Sequence, residues 1–299
     1  MDEYATEWTQ KDLDNGFTYQ WNPDDIDGPT LKITKSSLGT FNFCNGSYKY
    51  SYDPFAQGKK PQKTSEAMFR GTIVHNAQEE FWKMVKPEKA MPFIDDSNKL
   101  VKHFREYYPE GKDEDTNDLY RALSAWQAER FIECVHEGTV ENFIPVGNEI
   151  MLNARYRING INIHLQGIID RLFFDDNGYI PFELKTGLWK DSKKTNMRKE
   201  MAFYQLLYDH ADEEELISFG LNPHIGITHW GWIFPKSNYI YVEEVKKRST
   251  TSVINSIQKL IDAYMNKQFD FSYFHKKCVH CGHFEHCEAT GGGTNYDWF

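Results

Sequence analysis

Two short segments carry the residue types best suited to chemistry. The first is Gly167-Ile168-Ile169-Asp170-Arg171, and the second is Pro181-Phe182-Glu183-Leu184-Lys185-Thr186-Gly187. Strand side chains alternate between faces, so Glu183 and Lys185 point the same way. Antiparallel pairing of 165–174 with 179–185 brings Asp170 beside them. Two carboxylates and one amine then meet at one end of a sheet. Carboxylate oxygens hold hard cations such as Mg2+ or Mn2+. Such a cation polarises a phosphate and lowers the pKa of a bound water. A lysine orients that water or stabilises charge developing at phosphorus. The set suits phosphodiester hydrolysis. A surface hairpin with ordinary charges would show the same letters. Here, however, both acids sit within apolar runs: Ile168-Ile169 precedes Asp170, and Ile180, Phe182 and Leu184 surround Glu183. A charge there is expensive unless paired or metal-bound.

Upstream, Gly71-Thr72-Ile73-Val74-His75 lies in a helical pattern from about Ser65 to Val85. Ala67, Val74, Ala77, Phe81 and Trp82 form its apolar face, and Pro87 stops it. An isolated histidine in such a helix reads as the edge of a face. The wider segment Phe69–Trp82, taken with Glu183-Leu184-Lys185-Thr186-Gly187 and the Gly-x-x-Asp that ends at Asp170, resembles the PD-(D/E)XK nuclease superfamily. The likeness is to its RecB-like branch, the AddB-type and CRISPR spacer-acquisition nucleases that carry an iron–sulfur staple. It covers about Ile33 to Cys287. It implies a restriction-endonuclease-like α/β core with a mixed central sheet flanked by helices. It also implies a Mg2+- or Mn2+-dependent deoxyribonuclease, an exonuclease on single-stranded DNA or duplex ends. His75 then joins Asp170 and Glu183 as a metal ligand, and Lys185 assists the attacking water. DNA recombination or repair, phage DNA metabolism and CRISPR adaptation are the settings the resemblance offers.

The family places Gln-x-x-x-Tyr on the helix after the lysine, and this chain departs from it. Glu200 and Tyr204 keep the spacing with Glu in place of Gln. Gln205 and Tyr208 keep the residue types but fall one residue short. Helical spacing decides which residues share a face, so Glu200 and Tyr204 are preferred and Gln205 is second. These aromatics read nearly as well as core. From Lys185 to Lys199 the chain has six bases (Lys185, Lys190, Lys193, Lys194, Arg198, Lys199) against Asp191 alone. Such a run is often a solvated face. Directly after the candidate strand it reads as a phosphate-contact patch, with Trp189 available to stack on a base.

Cys278, Cys281 and Cys287 follow a C-x2-C-x5-C pattern, the spacing of metal ligands. A fourth ligand is needed. His275, His280, His283 or His286 would complete a zinc site. The family resemblance implies instead a distant N-terminal cysteine, here Cys44 in Ile33–Cys44, with Asn45 where proline is common. A [4Fe–4S] cluster on Cys44, Cys278, Cys281 and Cys287 is therefore expected, with structural Zn2+ as the alternative. Either would clip a long loop and stabilise the fold. Cys134, in a helix, reads as a small buried hydrophobe. Five cysteines and no secretion pattern argue against a disulfide framework.

The positioning elements follow from pattern. Helical stretches are expected at 97–108, 115–137, 194–211 and 251–267. Strands are expected at 148–158 and 161–174 about the Asn159-Gly160 turn, then at 179–184, 225–234 and 239–245. An acidic flexible arm over 1–28, one nuclease domain over 29–290 with a helical insertion at about 88–145, and a flexible tail over 291–299 make up the organisation. With 299 residues, 40% hydrophobic and 15% aromatic, the chain can bury a full core. Residues 1–28 carry −7 of the net −10, leaving −3 for the rest, so the overall sign does not exclude DNA. No apolar run is long enough to cross a bilayer, and a cytoplasmic location (host cytoplasm if viral) is expected. The aromatic tail Asn295–Phe299 suits docking to a protein partner. A catalytically silent DNA-binding or assembly subunit of the same fold is the alternative function.

Overall fold

The computed structural model describes residues 21–22, 28–52, 66–175, 177–266, 268–270, 273–279, 281–284 and 287. The expected acidic arm, apart from its edge, and the expected tail lie outside them. The Asn159-Gly160 turn organises the sheet. Asn159 has φ 49° and Gly160 φ 84°, the two left-handed residues that a tight type I′ hairpin requires. Strands β3 (Gly147–Ile158) and β4 (Ile161–Asp175) run out from it as one antiparallel pair. Along β3, Ile150, Leu152 and Ala154 are buried while Met151 and Arg155 are exposed, the alternation of a sheet with one face on the core.

β3 occupies one edge of β4, and two strands share the other. Strand β2 (Thr30–Thr34) lies parallel to Asn162–Gln166. Strand β5 (Gly178–Leu184) lies antiparallel to Arg171–Asp175. β2 and β5 therefore run toward each other, and their carboxyl ends meet beside residues 167–170. Strand β1 (Trp21–Asn22) pairs with β2; β6 (His229–Phe234) lies parallel to β5, and β7 (Tyr239–Glu244) closes the far side. The result is a mixed seven-stranded sheet.

Helices cover both faces. On one side lie α1 (Lys35–Phe43) and α2 (Asn45–Tyr52), together with α7 (Lys194–Asp209), α8 (Glu213–Ser218) and α9 (Lys247–Met265). Leu38, Met201, Phe203, Ile257 and Leu260 pack there against Leu31, Ile33, Leu165 and Trp232. On the other side lie α3 (Glu66–Met84), the short α4 (Pro87–Ala90), α5 (Ser97–Arg105) and α6 (Glu114–Glu137). Phe81, Phe104, Phe131 and Phe143 make a second core with Phe173, Phe182, Leu184 and Ile233. The stretch expected as an insertion thus supplies most of one helical layer. Its longest helix is punctuated locally: Asp113 caps the start, and Gly138 ends it at φ 73°, as capping chemistry dictates. The mixed stretch 31–52 resolves into a strand and two helices. A capping box at Thr34 and Ser37 starts the first of them. The short α10 (His275–Cys278) lies in the cysteine segment.

Gly231 on β6 sits opposite Phe182 on β5. A Cβ there would lie 2.5 Å from the Phe182 ring. Overpacking of this kind costs about 1–3 kcal/mol. Gly231→Ala is expected to lower the Tm by roughly 2 °C or more in a calorimetric scan. An unchanged Tm would mean that the ring moves aside freely.

Candidate metal and nuclease site

The fork in the sheet gathers the chemical groups. Asp170 lies on β4 where the fork opens, and its Oδ2 accepts from the Leu184 amide at 3.3 Å. Glu183 comes from the end of β5. Lys35, the first residue after β2, enters from the opposite direction. Its Nζ lies 2.6 Å from Glu183 Oε1 and 2.5 Å from the Tyr204 hydroxyl. Lys185 reaches the same Glu183 oxygen at 3.0 Å. His75, on α3, places Nδ1 3.4 Å from Asp170 Oδ2, and its Nε2 lies 3.1 Å from the Leu184 carbonyl. The structure thus brings His75, Asp170, Glu183 and Lys185 into one place.

It also brings Glu149, which the sequence reading missed. Counting outward from the Asn159-Gly160 turn sets residue 149 opposite 170, and that was the available signal. Ligand atoms of His75, Glu149 and Asp170 all lie within 4.8 Å of one another, close enough to hold one metal ion. Glu149 has φ 52°, a left-handed conformation that a glutamate adopts only when its surroundings impose it. Arg171 is one such constraint: it is 1% exposed, and its Nη1 donates to Glu149 at 2.7 Å while Nη2 donates to Gln78 at 3.2 Å.

The electrostatics suit a cation. Burial and the neighbouring Glu183 push the Asp170 carboxyl up to about 7. Burial also opposes ionisation of Glu183, but Lys35 and Lys185 outweigh it and hold this carboxyl well below the ordinary range. Its Oε2 is buried without a hydrogen-bond partner among the described residues, an acceptor left open. Burial lowers the His75 pKa, against the pull of Glu183, which favours the neutral imidazole a metal needs. Burial works against the charge on Lys185, yet Glu183 and Glu200 raise its pKa above the ordinary lysine value. These two carboxylates favour the ammonium form of Lys185, a hydrogen-bond donor toward negative charge.

The helix after the active strand divides as its spacing requires. Glu200 Oε2 receives Lys185 at 2.6 Å, and Tyr204 receives Lys35. Gln205 is turned away and donates to Asp209 at 2.7 Å. The basic run is dispersed. Arg198 is committed to Glu243 through two contacts of 2.6 Å. Lys194 pairs with Asp191 and lies over the Tyr241 ring. Lys193 donates to the Leu188 carbonyl, and Lys190 is exposed. Lys199 lines a cavity beside Lys35 and Glu200. Trp189 packs into an aromatic cluster with Phe234, Tyr239 and Tyr241.

At the other end of α1, Cys44, Cys278, Cys281 and Cys287 all line one cavity of about 410 Å3. His283 lines it too, but its Nε2 lies 2.9 Å from Ser51 Oγ and its ring packs on Tyr50. Residues 280 and 286 and the side chain of residue 275, the other histidine candidates, lie outside what is described. Cys134 is buried in α6.

A sheet fork holding a histidine, paired acids and a lysine agrees with the family whose model matches most of the chain. The model of the PD-(D/E)XK nuclease superfamily matches residues 32–288, and the chain belongs to that superfamily. No curated protein matches it in sequence. Among solved structures, that of SSO0001 is 17% identical, covering 75% of this chain and 97% of its own, with a TM-score of 0.35. Among the described residues, no helix is long and apolar enough to cross a membrane.

Asp170 links metal binding to pH. The metal-free chain keeps its proton up to about pH 7, and a cation must displace it. Mg2+ or Mn2+ affinity should therefore rise as pH increases and fall by up to about tenfold per unit below pH 7. Calorimetry in buffers of different ionisation enthalpy should show proton release at pH 6.5 and little at pH 8.5. Release independent of pH would overturn this.

Proposed function

We propose that this chain is a Mg2+- or Mn2+-dependent deoxyribonuclease of the RecB-like branch, acting as an exonuclease on single-stranded DNA or duplex ends. One observation carries the reading: His75, Asp170, Glu183 and Lys185 converge from three elements on one fork of the sheet, with a buried carboxylate oxygen left open beside them. His75, Asp170 and Glu183 are the proposed metal ligands, and Glu149 joins them. A metal bound there supplies Lewis acidity toward the phosphate and an activated water. Lys185, held charged by Glu183 and Glu200, orients the nucleophile and faces the charge that develops at phosphorus. Tyr204 and Lys35 hold Glu183 from the other side. The preference for ends rests on the resemblance of the His75 segment.

Lys185→Ala should reduce cleavage of end-labelled linear single strands by at least about a hundredfold, the scale of losing one transition-state donor. It should leave DNA binding, measured with Ca2+, within a few-fold of the parent. Retained cleavage would sink the assignment of Lys185. Circular single strands should survive; if they are cut, the enzyme is an endonuclease. The proposed settings are DNA recombination or repair, phage DNA metabolism or CRISPR adaptation, in the cytoplasm.

We also propose that Cys44, Cys278, Cys281 and Cys287 hold a [4Fe–4S] cluster. The reading is supported by the one cavity that Cys44, Cys278, Cys281 and Cys287 all line, enough for four thiolate ligands. The cluster would tie α1 to the C-terminal segment and stabilise the fold by closing a long loop. Protein purified without oxygen should contain iron and acid-labile sulfide in equal amounts, and Cys44→Ser should lose both. Stoichiometric zinc with no sulfide would replace the cluster with a zinc site.

A further inference from the structure

Beside the catalytic groups lies a second cavity, of about 330 Å3, between α1, α7 and α9. It is separate from the cysteine cavity, although Phe43 and Lys277 line both. Its floor is apolar, from Leu38, Phe203 and Val253. Three lysines, Lys35, Lys199 and Lys277, line it against the single carboxylate of Glu200. The amides of Asn42 and Asn196 complete the lining.

Among the described residues, neither Lys199 nor Lys277 has a carboxylate partner; Lys277 donates to the Phe43 carbonyl at 3.2 Å and lies over the Phe43 ring. Arg198 and Lys194 of the same basic run are already neutralised by acids. Lys35 and Glu200 join the cavity directly to the catalytic pair, since they touch Glu183 and Lys185. Phe43 exposes 40% of its surface at the mouth. Cations at the rim, an apolar floor and amide groups between them match a nucleotide: phosphate, base face and base edge in turn. The volume lies at the lower end of the range for small-ligand pockets, about 300–1,000 Å3.

We propose that this cavity is a nucleotide subsite, which seats the residue of the DNA strand next to the scissile phosphate. Lys199 and Lys277 hold the flanking phosphate, and the base lies against Leu38, Phe203 and Val253. Lys35 stands between the subsite and Glu183 and sets the register of the strand. The inference rests on the nuclease reading of the adjoining site.

Gly39 offers a clean test. It lines the cavity, and a Cβ added to it meets nothing within 4 Å. Gly39→Ala should be tolerated or stabilising, because alanine favours the helix. Gly39→Leu should put a side chain into the subsite. Binding of a fluorescent single-stranded oligonucleotide would be followed by anisotropy in Ca2+, and cleavage in Mn2+. We expect Gly39→Leu and Lys199→Ala/Lys277→Ala each to weaken binding and raise KM by roughly tenfold, with kcat within a few-fold. The double lysine variant should also flatten the plot of log affinity against log salt by about 0.7 for each phosphate it no longer neutralises. If both variants bind DNA as the parent does, with the same salt slope, the subsite is wrong whether or not the parent cleaves. If the parent does not cleave but these variants still bind more weakly, the nuclease reading fails and the cavity is a nucleotide site without a scissile phosphate beside it.

Discussion

The structure depends on the way β4 shares one of its edges. β2 and β5 pair with different stretches of that edge and point their carboxyl ends at each other. Neither strand can continue through the other, so each turns out of the sheet at the same place. Lys35 and Lys185 sit at those two turns. Asp170 and Glu183 occupy the fork between them, where backbone pairing lapses and side chains face a common space. Ligand sites outside the carboxyl ends of strands are a general property of α/β sheets. Here two strands contribute such ends to a single position.

Charge balance follows from this placement. Three carboxylates from β3, β4 and β5 are packed into a half-buried site, which would be prohibitive without cations. Lys35 and Lys185 bracket Glu183, and Arg171 backs Glu149 from the buried side. Among the described residues, no lysine contacts Asp170; burial and Glu183 push its carboxyl up to about 7, and His75 turns a ring nitrogen to it at 3.4 Å. The strained backbone of Glu149 belongs to the same balance: Arg171 fixes that carboxylate in position despite an unfavourable φ.

Much of the scaffold was legible because its signals are local. Asn159-Gly160 declares a hairpin, and the alternation on both sides of it declares strands. The helical period from Ser65 onward, with Pro87 as its stop, matches α3 within a residue or two. The spacing of Glu200 and Tyr204 picked the helix face that meets Lys185 and Lys35, and the one-residue offset of Gln205 turned it elsewhere, as a 3.6-residue period requires. Parallel pairing of β2 with β4 left no local trace, because its partners are more than a hundred residues apart. Lys35 was overlooked for that reason. Nothing in its own segment distinguishes it from a helix-surface lysine.

The residue types were readable from the chain alone: a Gly-x-x-Asp and a Glu-x-Lys at strand spacing, a histidine on an amphipathic helix, and three C-terminal cysteines at ligand spacing. Residue type and short-range periodicity are enough for that, since strand and helix geometry decide which neighbours share a face. Tertiary structure alone decided which distant groups complete the set. It brought Lys35 to Glu183, set Arg171 behind Glu149, diverted Arg198 to Glu243, and placed Cys44 in one cavity with the three C-terminal cysteines. These are contacts between elements far apart in the chain, and their partners are chosen by how the layers pack.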